Sequence, residues 1–343
     1  SCMSPTMTRT TRQLFLQLCA WRRYHVEKGD VSSAFLQGDE LEDDVFTIPV
    51  PELCEELGLP KDTVCKLTKA AYGLVIAPLS WYKSVHNYLK ELGFVRCRSD
   101  PCLWILFGSA TTTCGGKEII GIICGHIDDF LFGGDINDKR WTTIKENIKQ
   151  RFWWGDWEAN DFVQCSTRIT QRLDFGFELD QIEYCEEINK IDLDKDRSKQ
   201  KSSKTTEQEK TELRGCLGAI SYKAQQTGPH ESAETNLLLS NVNSSTVSDI
   251  ASVNKLLDRV RAESAQKIII HPFSSATQLI PVTWTDASHA NRPDLSSTEG
   301  LISGMTTKEI LDGVETPVSL VPVSYTHLRA HETREDRGWR RVG

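Results

Sequence analysis

Apolar residues recur every three to four positions in several stretches of the chain, and each of these stretches is predicted to be an amphipathic helix. In residues 80–92, for example, Trp81, Val85 and Leu89 fall on one face, and Gly93 follows as a helix C-cap. A polar face remains on each stretch, as in helices that pack on a core from one side. The predicted helices cover residues 9–24, 80–92, 137–152, 211–226 and 247–264.

Shorter runs of β-branched and aromatic residues lie between these helices and are typical of strands. Residues 118–124 are followed almost at once by residues 130–132, so a tight hairpin is expected there. Pro49 and Pro51 end the run at 45–50, because proline cannot donate to a strand ladder. Together with the helices, the strands predict an α+β fold. The other predicted strands are residues 26–31, 103–107, 162–170, 175–179, 267–270 and 278–284.

Two adjacent carboxylates, Asp128 and Asp129, lie at the tip of the predicted hairpin. Successive side chains of a strand point to opposite faces, but at a tight turn both carboxylates can reach one side of the sheet. Holding two negative charges together is costly unless a divalent cation neutralises them. The pair by itself leaves two interpretations open, a metal-binding turn and an acidic surface turn.

A third carboxylate, Asp30, lies near the end of the predicted strand at residues 26–31. Three carboxylates on neighbouring strands are what two-metal phosphoryl transfer needs. One ion lowers the pKa of an attacking hydroxyl, and the other holds the leaving phosphates. Aspartate is a common residue, so the interpretation depends on the residues that flank these three.

Composition and charge restrict the class of protein. The chain has 343 residues, of which 39% are hydrophobic and 26% are charged, as in ordinary globular proteins. Its net charge of −8 argues against a free-standing nucleic-acid binder, whose surface should be basic. The 11 cysteines show no CxxC pairs and are interpreted as reduced thiols. No apolar run has the length of a membrane span, so no membrane contact and a cytoplasmic location are expected.

The chain is divided by residues 191–210, which are nearly free of apolar side chains and are predicted to be a solvated linker. Residues 1–190 before the linker are interpreted as one domain. The helices after it form a second region at 211–266. A new unit that begins with strands is expected at 267–322, which is too short to close a domain.

Several segments resemble motifs of copia-type retrotransposon reverse transcriptases. Residues 30–38 (DVSSAFLQG) are similar to D-V-x-x-A-F-L-x-G, and residues 64–82 (VCKLTKAAYGLVIAPLSWY) are similar to V-C-K-L-x-K-x-L-Y-G-L-K-Q-A-P-R-x-W-Y. The L-G-F…x-D-P-C-L pattern is found in residues 92–103, and residues 126–129 (HIDD) stand where that family carries Y-V-D-D. Order and spacing agree over roughly residues 4–190. No single motif is specific, but their joint occurrence is.

The resemblance implies a fold and an activity. The fold is the reverse transcriptase palm, an antiparallel sheet with helices on one face, and the activity is RNA-directed DNA polymerisation, the transfer of a nucleotide from dNTP to a primer 3′-hydroxyl. Asp30 and Asp128 would bind two Mg²⁺ (or Mn²⁺) ions, with Asp129 as a third carboxylate. The carbonyl of Val31 would be a further oxygen ligand.

Three further residues would contact the nucleotide. The ring of Phe35 would fill the space that a ribose 2′-hydroxyl needs and so select deoxynucleotides; the alternative is an ordinary core phenylalanine. Tyr72 and Gly73 would lie under the nucleotide and the template base, and the alternative is a turn that requires glycine.

Beyond the linker, residues 212–222 resemble the connection segment of the family, and residues 284–288 with 297–300 resemble the start of its ribonuclease H domain. Asp286 would be the first metal-binding carboxylate of that truncated domain. Residues 323–333 resemble a peptide that recurs when sequencing-adapter DNA is translated, so residues 323–343 are expected to be an artefact. Implied partners are the template RNA or DNA, the primer, dNTP and the rest of the polyprotein, and a virus-like particle or the nucleus is an alternative location.

The chain also departs from the family pattern. The fingers segment is expected to be largely missing before residue 4. Val75 and Ile76 replace a Lys-Gln pair, and Leu79 replaces a basic residue, which removes positive charge where phosphate contacts supply affinity. These departures leave a second hypothesis open, a catalytically inactive retrotransposon remnant. A different palm-type nucleotidyltransferase, such as a cyclase, would not explain the motifs at residues 72–78 or 212–222.

Overall fold

The computed structural model describes residues 4–111, 116–288 and 297–328. The chain forms two compact units. The first is built from the described residues of Ser1–Phe15 and Arg23–Asn160, and the second from those of Leu16–Arg22 and Asp161–Gly343.

An antiparallel sheet is the centre of the first unit. Up to residue 160 the helices are α1 (Arg9–Arg22), α2 (Pro51–Glu56), α3 (Ala77–Glu91) and α4 (Lys139–Arg151). The strands are β1 (His25–Val31), β2 (Glu40–Thr47), β3 (Cys65–Lys69), β4 (Val95–Arg96), β5 (Leu103–Thr111), β6 (Lys117–His126), β7 (Asp129–Gly134) and β8 (Trp154–Ala159). Six of them form one sheet in the order β4-β5-β6-β7-β1-β8, and β2 pairs with β3 in a separate hairpin.

The helices α3 and α4 pack on one face of the six-stranded sheet. Gly121 and Gly134 are paired across β6 and β7, and a Cβ there would lie 2.1 and 2.3 Å from the Trp141 ring of α4. Trp81 of α3 makes an edge contact with Phe152, with ring centroids 5.2 Å apart. Each such large apolar side chain contributes about 1.5–3 kcal/mol when fully buried. Because any side chain at Gly121 or Gly134 would collide with the Trp141 ring, glycine is needed at both positions for the close packing of α4.

The opposite face of the central strands is covered as well. Val26, Cys124 and Leu131 belong to that face in the strand register and are fully buried. Burial on both faces explains why β6 and β7 have continuous apolar runs without the alternation of a half-exposed strand. At the ends of β1 and β7, the paired residues Asp30 and Asp129 lie on this second face.

Most elements predicted up to residue 160 are confirmed. The helices expected at 9–24, 80–92 and 137–152 are α1, α3 and α4, and the mixture of helices with antiparallel sheet is α+β. The strand expected at 45–50 is wrong in its bounds, because β2 begins at Glu40 and ends at Thr47. The acidic part of β2 is stabilised across the hairpin, where Lys66 Nζ lies 2.6 Å from Asp44 Oδ1. Pro51 begins the short helix α2, which the sequence pattern did not predict.

The second unit combines a helical core with two sheets. Its helices are α5 (Ile182–Glu187), α6 (Glu207–Gln226), α7 (Ser232–Asn241) and α8 (Val247–Ala262). Its strands are β9 (Asp161–Gln164), β10 (Thr167–Gln171), β11 (Phe177–Asp180), β12 (Ile268–Ile270), β13 (Leu279–Ser288), β14 (Ser297–Thr307) and β15 (Ser319–Leu328). One sheet has the order β12-β11-β10-β9, and the other is the meander β13-β14-β15. The core of α6 and α8 contains Leu213, Leu217, Ile250, Val253 and Leu257.

Two strand predictions differ from this arrangement. The strand expected at 162–170 is two strands, because Cys165 and Ser166 have φ angles of 48° and 53° and form a tight two-residue turn between β9 and β10. The strand expected at 267–270 is β12, and it pairs with β11, a partner that the sequence pattern did not indicate. Pairing partners far apart in sequence are not encoded in local periodicity.

The segment 191–210 is closely associated with the helical core. Ile191 is buried in that core, Leu193 packs against it, and Arg197 forms an ion pair of 2.8 Å with Glu209. The boundary between the compact units follows Asn160 and does not fall at the predicted linker. The domain assignments themselves, including the truncated ribonuclease H-like segment at 267–322, stay predictions.

The end of the chain is described only in part. The backbone of residues 323–328 belongs to β15, which pairs with β14. The rest of the predicted artefact, residues 329–343, lies outside the described residues.

Candidate active site

Asp30 lies near the end of β1, directly opposite Asp129 at the start of β7. Residues that face each other across an antiparallel pair present their side chains on the same face. The pairing of His126 with Asp129 adds the His126 side chain to that face. This is the face opposite α3 and α4. The two aspartates predicted from distant parts of the sequence are thus brought together.

Asp128 lies in the two-residue turn that joins β6 to β7, so the predicted hairpin is confirmed. Ile127, the other turn residue, has a φ of 62°, which a β-branched residue rarely adopts. Two hydrogen bonds hold the turn. Trp81 Nε1 donates to the Ile127 carbonyl at 2.7 Å, and the Val31 amide donates to the Asp128 carbonyl at 3.0 Å. The strained turn is therefore fixed by α3 and β1.

Asp129 is engaged by a lysine of the same sheet face. Lys28 Nζ lies 3.3 Å from Asp129 Oδ1 and 3.3 Å from Glu158 Oε2 of β8. Burial lowers the pKa of Lys28, but the two carboxylates outweigh burial and hold this pKa above its usual value. Lys28 is therefore charged at neutral pH and partly neutralises Asp129.

The remaining charge at the site is negative. Burial raises the pKa of Asp30, and the neighbouring Asp128 and Asp156 carboxylates raise it further against the opposing effect of Lys28. Burial also raises the pKa of Asp129, where Lys28 again opposes the shift. Raised pKa values of this kind mean that the ionised carboxylates of the site repel one another and that the nearby positive charge does not fully compensate them.

Asp30 and Asp128 fit as ligands of a divalent cation. Their mutual repulsion is the kind of strain that a bound cation relieves, and oxygen ligands suit Mg²⁺ and Mn²⁺. In the parts of the chain that are described, the three aspartates do not form a group whose ligand atoms all lie within 4.8 Å of one another. Because Asp129 has Lys28 as an ion-pair partner, the two ligands that fit best are Asp30 and Asp128.

The Lys28 pair leads to a prediction. We expect Lys28→Met to lower the free energy of unfolding at neutral pH by about 1–3 kcal/mol, because it leaves a largely buried carboxylate without its cation. A raised carboxyl pKa means that the folded state holds its proton to higher pH, so this loss should shrink as the pH falls through the pKa of Asp129. Urea unfolding at neutral and mildly acidic pH measures it. The exposed Lys61→Met is the control, and an equal loss at both pH values would contradict the assignment.

The chain after Asp30 forms a fixed loop. A 3₁₀ turn at Ala34–Gln37 follows Ser33, which has a φ of 50°. The buried Gln37 side chain donates to the Trp153 carbonyl at 2.9 Å and accepts from the Trp153 amide at 2.6 Å. This side chain therefore ties the loop to the chain segment before β8. The loop presents the half-buried ring of Phe35.

Phe35 and Tyr72 are brought together. Their ring centroids lie 4.8 Å apart, and Tyr72 is 62% exposed. Gly73 has a φ of 93° in the turn between Ala71 and Leu74, and a Cβ at Gly73 would meet nothing within 4 Å. Glycine is thus needed for the backbone conformation and not for space. The exposed Tyr72 ring, which contacts Phe35 beside an open glycine turn, offers a surface on which a flat ring can stack.

Asp286 belongs to the second unit, where it lies in the exposed strand β13, whereas the other predicted site residues belong to the first unit. It is paired with Gly300 of β14, and its Oδ1 accepts a hydrogen bond from the Ala287 amide at 2.9 Å. Among the described residues Asp286 belongs to no group of three ligating side chains within 4.8 Å. Its role as a metal ligand stays a prediction.

Sequence reasoning missed two charged residues of the site. Lys28 is two positions before Asp30 in the same strand, so the strand period alone could have placed it on the same face. Asp156 could not have been found this way, because its approach to Asp30 depends on the pairing of β8 with β1.

Comparison with known proteins agrees with this geometry. The profile of the family "Reverse transcriptase (RNA-dependent DNA polymerase)" matches residues 1–200. The Pol polyprotein of transposon RE1 from Arabidopsis thaliana is 36% identical over 152 residues, which cover 43% of this chain and 9% of that protein. The Pol polyprotein of transposon TNT 1-94 from Nicotiana tabacum is 34% identical over 131 residues, 38% of this chain and 9% of that protein.

The chain spans only about a tenth or less of the length of these relatives. No helix among the described residues is long and apolar enough to cross a membrane. The family match covers more than half of this chain and includes every residue of the aspartate site. The chain belongs to the reverse transcriptase family of copia-type retrotransposon Pol polyproteins.

Proposed function

We propose that this chain is the polymerase part of a retrotransposon Pol polyprotein and extends a primer with deoxynucleotides on an RNA or DNA template. The observation that supports this most directly is the pairing of Asp30 with Asp129, with Asp128 in the adjoining turn. Family membership supplies the reaction class. The sheet and its helices are proposed to be the reverse transcriptase palm.

The chemistry assigned to the chain follows from its charges. Two Mg²⁺ or Mn²⁺ ions, when bound, would lower the pKa of the primer 3′-hydroxyl and neutralise the triphosphate. Asp30 and Asp128 would hold the ions, and the Val31 carbonyl would offer a further oxygen. Asp129, ion-paired with Lys28, would keep the start of β7 in position and supply a third carboxylate on the same face.

Further parts of the chain extend the proposal. Tyr72 and Gly73 would support the nucleotide and the template base. The helices α6 to α8 would form the connection, and β13 to β15 would be the start of a ribonuclease H-like domain with Asp286 as its first carboxylate. Template, primer, dNTP and the remaining polyprotein would be the partners.

The test is primer extension on an RNA template by the full chain, with Mn²⁺ or Mg²⁺. We expect extension that depends on the added ion and stops with a chelator. Mn²⁺ binding, measured independently of activity, should also be detected. A folded chain that binds no Mn²⁺ and extends no primer would contradict the proposal and favour the inactive remnant. Weak Mn²⁺ binding without extension would also favour the remnant.

Phe35 leads to a prediction about sugar selection. We expect Phe35→Ala to weaken discrimination between dNTP and rNTP by about 10- to 200-fold, because the side chain that would exclude the 2′-hydroxyl is removed. The ratio of kcat/KM for the two nucleotides measures this. A core phenylalanine would instead lower stability and leave the ratio unchanged. Phe46→Ala is the matched control, since Phe46 is 59% exposed on β2.

A further inference from the structure

The second unit contains a buried carboxylate whose oxygens have no hydrogen-bond partner. The Glu231 side chain is fully buried, as is that of Lys223, and Lys223 Nζ lies 3.7 Å from Glu231 Oε2. Gly228 packs against this pair, because a Cβ there would lie 2.4 Å from Glu231 Oε2 and 2.5 Å from Lys223 Nζ. A buried polar group normally has a hydrogen-bond partner, so this carboxylate keeps unused ligand capacity.

Two further ligand atoms lie next to the free oxygen of Glu231. His230 Nε2 is 3.6 Å from Glu231 Oε1 and 3.1 Å from Glu263 Oε2, and ligand atoms of the three residues all lie within 4.8 Å of one another. In a tetrahedral Zn²⁺ site with bonds of about 2.0–2.2 Å, ligand atoms are about 3.3–3.6 Å apart. The two His230 separations are already close to this range. His230 and Glu263 are partly exposed and can adjust by rotation.

We propose that His230, Glu231 and Glu263 form a structural site for a divalent transition-metal ion such as Zn²⁺. The ion would connect the start of α7 to the end of α8. An imidazole nitrogen with two carboxylates favours Zn²⁺ over Mg²⁺, which prefers oxygen ligands and keeps its water. This site is independent of the proposed polymerase activity.

The charges around Glu231 agree with a bound cation. Burial raises the pKa of Glu231, and Glu263 raises it further, whereas Lys223, His230 and Arg259 oppose the shift. Arg259 is itself ion-paired with Glu234 at 2.6 Å. Lys223 faces Oε2, so Oε1 remains directed at His230. A metal ion would stabilise the ionised carboxylate on that side.

The experiment compares Zn²⁺ binding by the full chain with binding by His230→Ala and by Glu263→Gln. We expect each variant to bind one Zn²⁺ fewer at a given free Zn²⁺ concentration, with affinity at this site at least about 10- to 100-fold weaker. Zn²⁺ should raise the thermal midpoint of the wild type and not that of the variants. Both substituted side chains are partly exposed, so both variants should fold.

The controls separate this site from other Zn²⁺ ligands. The cysteines and the three aspartates are the same in all variants, so their binding cancels in the difference. His25→Ala, which removes an exposed imidazole outside the cluster, should keep the full stoichiometry. Co²⁺ can replace Zn²⁺ as a spectroscopic probe. The absorption that the wild type shows and His230→Ala does not should contain no thiolate charge-transfer band. Equal Zn²⁺ stoichiometry in wild type and both variants, or loss of a thiolate band, would overturn the proposal.

Discussion

Replacing Asp128 by asparagine is expected to reduce primer extension by about 10²- to 10³-fold, the range for loss of one preorganised electrostatic group. The carboxylate is proposed to hold a divalent ion, and the neutral amide cannot. The fold should remain, because the Val31 amide is held by the Asp128 carbonyl and that bond does not involve the side chain. The measurement is single-turnover extension with Mn²⁺, beside Mn²⁺ binding without substrate.

The matched control for this change is Asp62→Asn, which alters an exposed aspartate in a turn with a φ of 68°. It should leave both extension and Mn²⁺ binding unchanged.

The stability of Asp128→Asn is a second expectation. Removal of the Asp128 charge relieves the repulsion on Asp30, so Asp128→Asn should be at least as stable as the wild type at neutral pH. Extension that survives Asp128→Asn would refute the assigned site, whatever the family of the chain.

Lys223→Met is expected to give the largest loss of stability, about 3–5 kcal/mol, because it leaves the buried Glu231 carboxylate without a lysine partner. Both side chains are fully buried. The raised pKa of Glu231 sets the pH dependence. Below that pKa the carboxyl is protonated and needs no partner, so the loss should decrease on acidification. Urea unfolding in the presence of a chelator measures the effect without a contribution from bound metal.

A double-mutant cycle separates the pair from its surroundings. The double variant Lys223→Met with Glu231→Leu should recover most of the stability lost in Lys223→Met, since apolar side chains can replace a buried ion pair at little cost. Lys190→Met is the control, because the ion pair of Lys190 with Asp258 at 2.6 Å is exposed and should contribute less than about 1 kcal/mol. Equal losses in the free energy of unfolding for Lys223→Met and Lys190→Met would show that the buried ion pair contributes no more to stability than the exposed one.

The predictions from sequence succeeded where the signal is local. Helices α3 and α4 follow from apolar residues at helical spacing, and the β6–β7 hairpin follows from two apolar runs around a short polar turn. They failed where local signals mislead. The turn of Cys165 and Ser166 contains no glycine or asparagine, and the helix α7 has no clear apolar stripe. The acidic residues of β2 are typical of a loop in the sequence, but in the structure they belong to a strand in which Asp44 forms an ion pair with Lys66 of β3.

By itself the sequence determined the family and most of the helices, and it predicted the three aspartates of the candidate site. These depend on motif order and on periods of two or 3.6 residues, which are properties of neighbouring residues. Only the tertiary structure decided that Lys28 is shared by Asp129 and Glu158, that β12 pairs with β11, and that His230 and Glu231 meet Glu263. The physical reason is that ion pairs and strand pairs join residues far apart in the chain, and their distances are set by packing of the whole unit.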